Sequence, residues 1–242
     1  MTSPDSTIGN RMQQLASLAG GLIVSCQARP GNPLHGPETM ALMARAAELG
    51  GARGLRVNGP ADIRAVMQVT SLPVLAINKV DYDDSPVMIT PTIGDAEAIL
   101  DTGAPLIALD GTNRHRPNGE TLAGIIEVIH RRGALAFADL ATQDDLQGAI
   151  DAGADAVGTT LSGYTRESAS DSPDPDLELL AWLVKYSPVP VFAEGRFWTP
   201  EQATEALRIG ASFVVVGTAI TNPMAITSRF VASLDASRSN AS

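Results

Sequence analysis

Lys79, Asp110, Asp139 and Glu194 each close a short apolar run: Val-Leu-Ala-Ile-Asn before the lysine, and Leu-Ile-Ala-Leu, Leu-Ala-Phe-Ala and Val-Phe-Ala before the carboxylates. One amine among several carboxylates suits carbon-acid chemistry, either proton removal beside a carbonyl or Schiff-base formation. An unperturbed lysine, with a pKa of about 10.4, is a poor base at neutral pH. Burial or a neighbouring cation such as Arg56 lowers that value, and Asp139 or Glu194 close by raises it. Other chemistries are poorly served. His35, His115 and His130 lack the spacing of a metal site, and aspartates with no histidine beside them make a weak one, so no metal is expected. Cys26 is the single cysteine and reads as a small hydrophobe at a strand end rather than a nucleophile. A serine-hydrolase elbow (GxSxG) and a dinucleotide turn (GxGxxG) are both missing.

The elements that must position these residues repeat. Glu48-Leu-Gly-Gly-Ala, Asp101-Thr-Gly-Ala, Asp151-Ala-Gly-Ala and Arg208-Ile-Gly-Ala each end a helical pattern, offer a glycine for the cap and lead into an apolar run. The apolar runs predict eight strands: 22–25, 54–57, 74–78, 106–110, 135–139, 156–159, 191–194 and 213–216. Nearly continuous apolar runs are what parallel strands covered on both faces require. Helical periodicity marks 120–131, 144–152, 177–186 and 200–209 between them. Thr199 before Pro200 and Thr142 before Asp144 and Asp145 read as start signals. Eight such units predict an α/β protein, a parallel eight-stranded (β/α)8 TIM barrel, in preference to an open doubly wound sheet. The expected organisation is one domain over residues 1–242, with frayed tails at 1–7 and 236–242. Residues 87–92 form an extra extended piece after the third strand. Residues 166–176 form a polar loop that is a candidate lid.

In such a barrel, chemistry gathers where the strands end. The ends, in order, are Ser25-Cys26-Gln27, Arg56-Val57-Asn58, Asn78-Lys79, Asp110, Asp139, Thr159-Thr160, Glu194-Gly195-Arg196 and Gly217-Thr218. A ring of Gln, Arg, Lys, Asp and Glu around one mouth predicts a polar ligand. Glycine turns after the seventh and eighth strands, with Arg196 and Thr218 beside them, predict that the ligand carries a phosphate.

Bulk properties agree. A formal net charge of −10 argues against nucleic-acid binding, and no apolar stretch reaches 18 residues, so no membrane span is expected. The N-terminus does not read as a signal peptide, and one cysteine suits a reducing compartment, which makes a cytoplasmic location the expectation.

With these residues in view, the chain resembles the N-acetylmannosamine-6-phosphate 2-epimerase (NanE-type) family of amino-sugar and sialic-acid breakdown, from about residue 20 to 230. The resemblance rests on Gly-Leu-Ile-Val-Ser-Cys-Gln27, Gly-Leu-Arg56-Val-Asn-Gly, Lys79 with Asp81-Tyr82 and Ile-Thr-Pro-Thr92. It continues in Ala-Leu-Asp110-Gly-Thr with Arg114, Arg116 and Pro117, then Ala138-Asp139, Gly-Thr-Thr-Leu-Ser-Gly-Tyr-Thr165, Ala-Glu194-Gly-Arg and Val-Gly217-Thr-Ala-Ile. It implies inversion at C2 between N-acetylmannosamine 6-phosphate and N-acetylglucosamine 6-phosphate without a cofactor. Lys79 would act as acid and base at C2, Glu194 would assist ring opening, and Asp139 would stand with them. Gln27, Arg56, Thr160, Gly163 and Tyr164 would contact the sugar, and Gly195, Arg196, Gly217 and Thr218 its phosphate. The implied partner is an amino-sugar phosphate, and a homodimer is the oligomeric expectation. The chain departs from the family's pattern at Val80 and Asn222, where arginine is usual, and at Phe197-Trp198. The residues alone also admit a Schiff-base lyase or aldolase acting through Lys79, or a non-catalytic sugar-phosphate sensor.

Overall fold

The computed structural model describes residues 13 and 15–239, so the tail expectations for 1–7 and 240–242 lie outside the described residues. Eight parallel strands close into a barrel in chain order, with β8 pairing back onto β1. They are β1 (Leu22–Cys26), β2 (Gly54–Asn58), β3 (Val74–Ile77), β4 (Leu106–Asp110), β5 (Leu135–Asp139), β6 (Ala156–Gly158), β7 (Val191–Glu194) and β8 (Val214–Val216). Around them lie α1 (Pro37–Leu49), α2 (Pro60–Val69), α3 (Ile93–Leu100), α4 (Leu122–Arg131), α5 (Asp145–Asp151), α6 (Leu177–Tyr186) and α7 (Pro200–Ile209). The short α8 (Thr218–Thr221) and the long α9 (Pro223–Ser239) follow β8. This is the expected (β/α)8 architecture.

Strand alternation makes the interior of the barrel. Phe137, Phe192 and Phe213 meet inside it, the last two stacked with ring centroids 5.3 Å apart. Leu15 and Leu18 pack into the same cluster. Gly158 faces Phe192 so closely that a Cβ there would lie 2.2 Å from the ring, which is why β6 carries glycine at this level. Two residues further along the same strands come Asp139 after Phe137, Glu194 after Phe192 and Arg56 after Gly54. The polar layer therefore sits directly on an aromatic floor.

Several local expectations are corrected. β3 ends at Ile77, not Asn78, because residues 87–92 fold back as a second arm: Lys79 pairs with Ile89 in an antiparallel bridge, and Thr90 N–H donates to the Asn78 carbonyl. β6 stops at Gly158, β8 starts at Val214, and β1 and β2 each run one residue further than expected. Thr199 does cap α7 in a reciprocal capping box with Gln202. Thr142 does not cap α5; its hydroxyl instead donates to Asp145 Oδ2 at 3.1 Å. In the first repeat the positive φ falls on Gly51 (92°), one residue after Gly50. Residues 236–239, expected as tail, continue α9, which has no proline or glycine after Pro223 to stop it. From Thr227 to Arg238 every residue of α9 is exposed, including Phe230, Val231 and Leu234.

Candidate active site

Arg56 decides the geometry of the mouth. It leaves β2 inward, is 1% exposed, and spans the barrel to two carboxylates. Its Nη2 donates to Asp139 Oδ2 at 2.5 Å and its Nη1 to Asp139 Oδ1 at 3.0 Å, while the same Nη1 also pairs with Glu194 Oε2. Thr160, just past β6, donates its hydroxyl to Asp139 Oδ1 at 2.5 Å and lies 3.3 Å from Glu194 Oε2. Four residues from β2, β5, β7 and the β6–α6 loop thus form one hydrogen-bonded cluster, with Arg56 and Asp139 buried and Thr160 and Glu194 half-buried. Glu194 is further aligned from its own backbone: Thr159 Oγ1 accepts from Glu194 N–H at 3.1 Å and donates to its carbonyl at 2.8 Å.

Charges this close, removed from water, change one another's acidity. Burial works against the Arg56 cation, but Asp139 and Glu194 outweigh it and hold its pKa above the usual value. Glu194 is raised, by burial first and by the Asp139 charge, against the opposing pull of Arg56 and Lys79. Lys79 is pushed down to about 8, by burial first and then by the Arg56 charge, with Arg29 adding to it and Glu194 and Asp139 opposing. At pH 7 about one such lysine in ten is neutral, against about one in 2,500 for an unperturbed amine.

Lys79 borders a cavity of about 350 Å³ lined by Arg29, His35, Asn58, Asp62 and Asp81 among others. A larger cleft, about 600 Å³, lies beside the β6–α6 loop between Thr142, Ser168, Asp174 and Arg196, and none of the four clustered residues lines either cavity.

The remaining expected residues are placed as follows. Gln27 reaches the mouth from the end of β1, its Nε2 donating to Ser25 Oγ at 2.7 Å. Gly195 has φ 110° directly after Glu194, and Gly217 precedes α8, so that Thr218 is the first residue of that helix. Gly217 packs on Ser25, where a Cβ would lie 3.2 Å from the serine Cβ. Arg196 turns away from the cluster. Its Nε and Nη1 donate to the carbonyls of Asp174 and Ser162, at 2.7 and 2.5 Å, pinning the β6–α6 loop. Gly163, φ 82°, lies beneath that guanidinium, where a Cβ would be 1.6 Å from Nη1. Tyr164 is exposed, with its ring centroid 5.7 Å from Arg196 Cζ. The structure therefore gathers Arg56, Asp139, Thr160 and Glu194 with Lys79 beside them, and sets Gly163, Tyr164 and Arg196 together in the neighbouring loop.

Sequence reasoning passed over Asn58 as an anchor and did not select Asp95 or Arg29. Asn58 Oδ1 accepts from Lys79 N–H at 2.7 Å, and Arg29 Nη2 reaches Met88 Sδ at 3.3 Å across the mouth. The one local signal for Asp95 was Thr92-Ile-Gly-Asp95, a helix start with an acid at its third position.

Comparison with known proteins bears on this arrangement as a whole. The family model described as "Putative N-acetylmannosamine-6-phosphate epimerase" (NanE) matches residues 40–236. A relative in Clostridium perfringens, named "Putative N-acetylmannosamine-6-phosphate 2-epimerase", is 48% identical over 211 residues, covering 87% of this chain and 95% of its own. One of the same name in Cutibacterium acnes is 48% identical over 219 residues, covering 89% and 94%. The solved structure of the Clostridium perfringens N-acetylmannosamine-6-phosphate 2-epimerase superposes with a TM-score of 0.88 at 46% identity, covering 90% of this chain and 94% of that one. With the family model matching most of its length and relatives matching nearly end to end, the chain belongs to the N-acetylmannosamine-6-phosphate 2-epimerase (NanE) family.

Proposed function

We propose that the protein interconverts N-acetylmannosamine 6-phosphate and N-acetylglucosamine 6-phosphate, its C2 epimer, by proton transfer at C2 through Lys79 and without a cofactor. The observation that carries this is the Arg56–Asp139–Glu194 cluster beside a lysine whose pKa is pushed down to about 8. Ring opening exposes a C1 aldehyde, which acidifies the proton on C2. Glu194, raised and desolvated, serves as the acid and base of that opening. Neutral Lys79 then removes the C2 proton. In the open-chain enediolate C1–C2 is a double bond, so rotation about the C2–C3 single bond presents the other face of C2 to the same amine, now an ammonium, which returns a proton there. Arg56, Gln27, Asp139 and Thr160 orient the sugar, and the turns at Gly195 and Gly217 with Thr218 take the phosphate. The Arg196–Gly163–Tyr164 loop closes the same side. The proposal includes a homodimer, supported by the exposed apolar residues of α9; a monomer in sedimentation at assay concentration would count against it.

The test is proton NMR in deuterated water with N-acetylmannosamine 6-phosphate and, separately, the unphosphorylated sugar. Epimer formation with deuterium at C2, and preference for the phosphate ester, are expected. Deuterium-free product, or a sugar-phosphate adduct trapped by borohydride, would instead favour Schiff-base lyase chemistry. Run across pH, kcat/KM should be bell-shaped. The working form needs Glu194 protonated and Lys79 neutral, so activity falls below the raised Glu194 pKa and again above about 8, where the pair's last proton leaves. A profile that climbs through 8 to a plateau would remove Glu194 from the acid role.

A further inference from the structure

The backbone carrying Lys79 has left the barrel ladder. β3 pairs with β4 only at Leu75↔Leu106 and Ala76↔Ile107. Beyond these the returning arm serves the end of β4: Asp110 N–H donates to the Ile89 carbonyl, and Thr90 Oγ1 donates to the Ala108 carbonyl at 2.7 Å. A lysine on such a segment is aimed by whatever else holds it. Three successive amides are tied individually: Asn78 N–H to Thr90 Oγ1 at 3.2 Å, Lys79 N–H to Asn58 Oδ1 at 2.7 Å, and Val80 N–H to the Met88 carbonyl at 3.0 Å. The side chains on either side of the lysine converge on one group. Asn78 Nδ2 donates to Asp95 Oδ1 at 3.1 Å, and the Tyr82 hydroxyl donates to Asp95 Oδ2 at 3.1 Å.

Asp95 is suited to hold them. It lies in the first turn of α3, is 8% exposed, and is fixed by its own helix cap. Thr92 Oγ1 accepts from Asp95 N–H at 3.1 Å and donates to Asp95 Oδ2 at 2.6 Å. Capping α3 uses Thr92 and Glu120, whose Oε2 accepts from Ile93 N–H at 2.6 Å, so the bonds to Asn78 and Tyr82 go beyond what starting the helix requires. We propose that Asp95 is a positioning residue for Lys79: by gripping Asn78 and Tyr82 from the first turn of α3, it fixes from both sides the segment that presents the amine to the barrel mouth. This rests on the reading of Lys79 as the C2 acid and base. The charges acting on Lys79 come from Arg56 on β2, Glu194 on β7, Asp139 on β5 and Arg29 after β1. Asp95 therefore acts through position.

The experiment compares Asp95→Asn, Tyr82→Phe and Asp145→Asn in the C2 deuterium-exchange assay, with Lys79→Ala in parallel. In Asp95→Asn the side chain keeps one acceptor oxygen where the carboxylate had two, so one flank is released; Tyr82→Phe releases the other flank with the helix untouched. Asp145 is the control. It is comparably buried (6% exposed), also opens a helix, and accepts from Asn113, Ala141 and Thr142, none of which adjoins Lys79. A displacement of about 1 Å at a reacting group costs on the order of 10²-fold in rate. Asp95→Asn should therefore lower kcat by about 10²-fold and Tyr82→Phe by about tenfold, with KM within about twofold for both. Asp145→Asn should lower the melting temperature and leave kcat within about twofold. Equal loss of kcat in Asp95→Asn and Asp145→Asn, or a normal kcat in Tyr82→Phe, would overturn the proposal. If Lys79→Ala is inactive while Asp95→Asn turns over normally, positioning alone is wrong. If Lys79→Ala retains exchange, the lysine reading falls, and this proposal falls with it.

Discussion

Lys79→Ala is expected to cut deuterium incorporation at C2 by about 10³-fold, within the range a positioned general base supplies. The loss should lie in kcat, because the residues proposed to grip the sugar and its phosphate remain. The fold should be untouched or slightly more stable. Among the described residues, the Lys79 ammonium makes no ion pair within 4.0 Å, and a desolvated charge is removed with it. Lys79→Arg should not restore activity, because a guanidinium stays protonated at any assay pH. Thermal unfolding and substrate binding, measured beside exchange, separate lost chemistry from lost structure. Normal turnover in Lys79→Ala would end the assignment.

Arg56→Met is expected to produce the largest stability loss. Removing one member of a buried ion cluster leaves uncompensated charge, at a cost of about 3–5 kcal/mol. Here Asp139, fully buried, loses both guanidinium bonds, and Glu194 loses the cation that opposes its burial. Glu194 therefore rises further, and Lys79, freed from Arg56 repulsion, rises as well. Both limbs of the kcat/KM profile therefore move to higher pH. Arg56→Lys should recover little, since one ammonium cannot bond both carboxylates in the observed fork. The check is the urea midpoint at constant slope; an unchanged midpoint would mean the cluster contributes nothing to stability.

Much of the fold was legible because each unit carries its own signals. The boundaries of β4, β5, β7, α6 and α7 follow from runs such as Leu-Ile-Ala-Leu-Asp110 and from the Thr199-Pro200 start. The strand-end rule then found Lys79, Asp139, Glu194 and Arg56. What it could not supply was who bonds to whom: Arg56 meets Asp139 and Glu194 across 83 and 138 residues of chain, a pairing fixed by barrel closure rather than by any local pattern. The same limit explains Arg196. A cation after a glycine turn reads as a phosphate ligand, but no local pattern shows that its Nε and Nη1 donate to the carbonyls of Asp174 and Ser162, in a loop only the tertiary fold brings near. The arm at 87–92 was seen as extended, but its pairing with Lys79 was not, since an isolated bridge leaves no periodicity.

The opposed shifts of Lys79 and Glu194 have a further consequence within the proposed chemistry. Between their two pKa values the pair carries one proton, either as ammonium and carboxylate or as amine and carboxylic acid. These two forms are isomers, so buffer pH cannot set their ratio. Arg56 disfavours a proton on both partners, so its two effects on that ratio oppose each other. Water in the mouth also shifts it. The ionic isomer is favoured by a wet mouth and the neutral isomer by a dry one. A sugar phosphate that fills the mouth would then move the proton from the amine to the acid simply by displacing solvent, so that occupancy itself arms the site. The filled enzyme's kcat profile should accordingly be flatter with pH than kcat/KM, which reports the empty one.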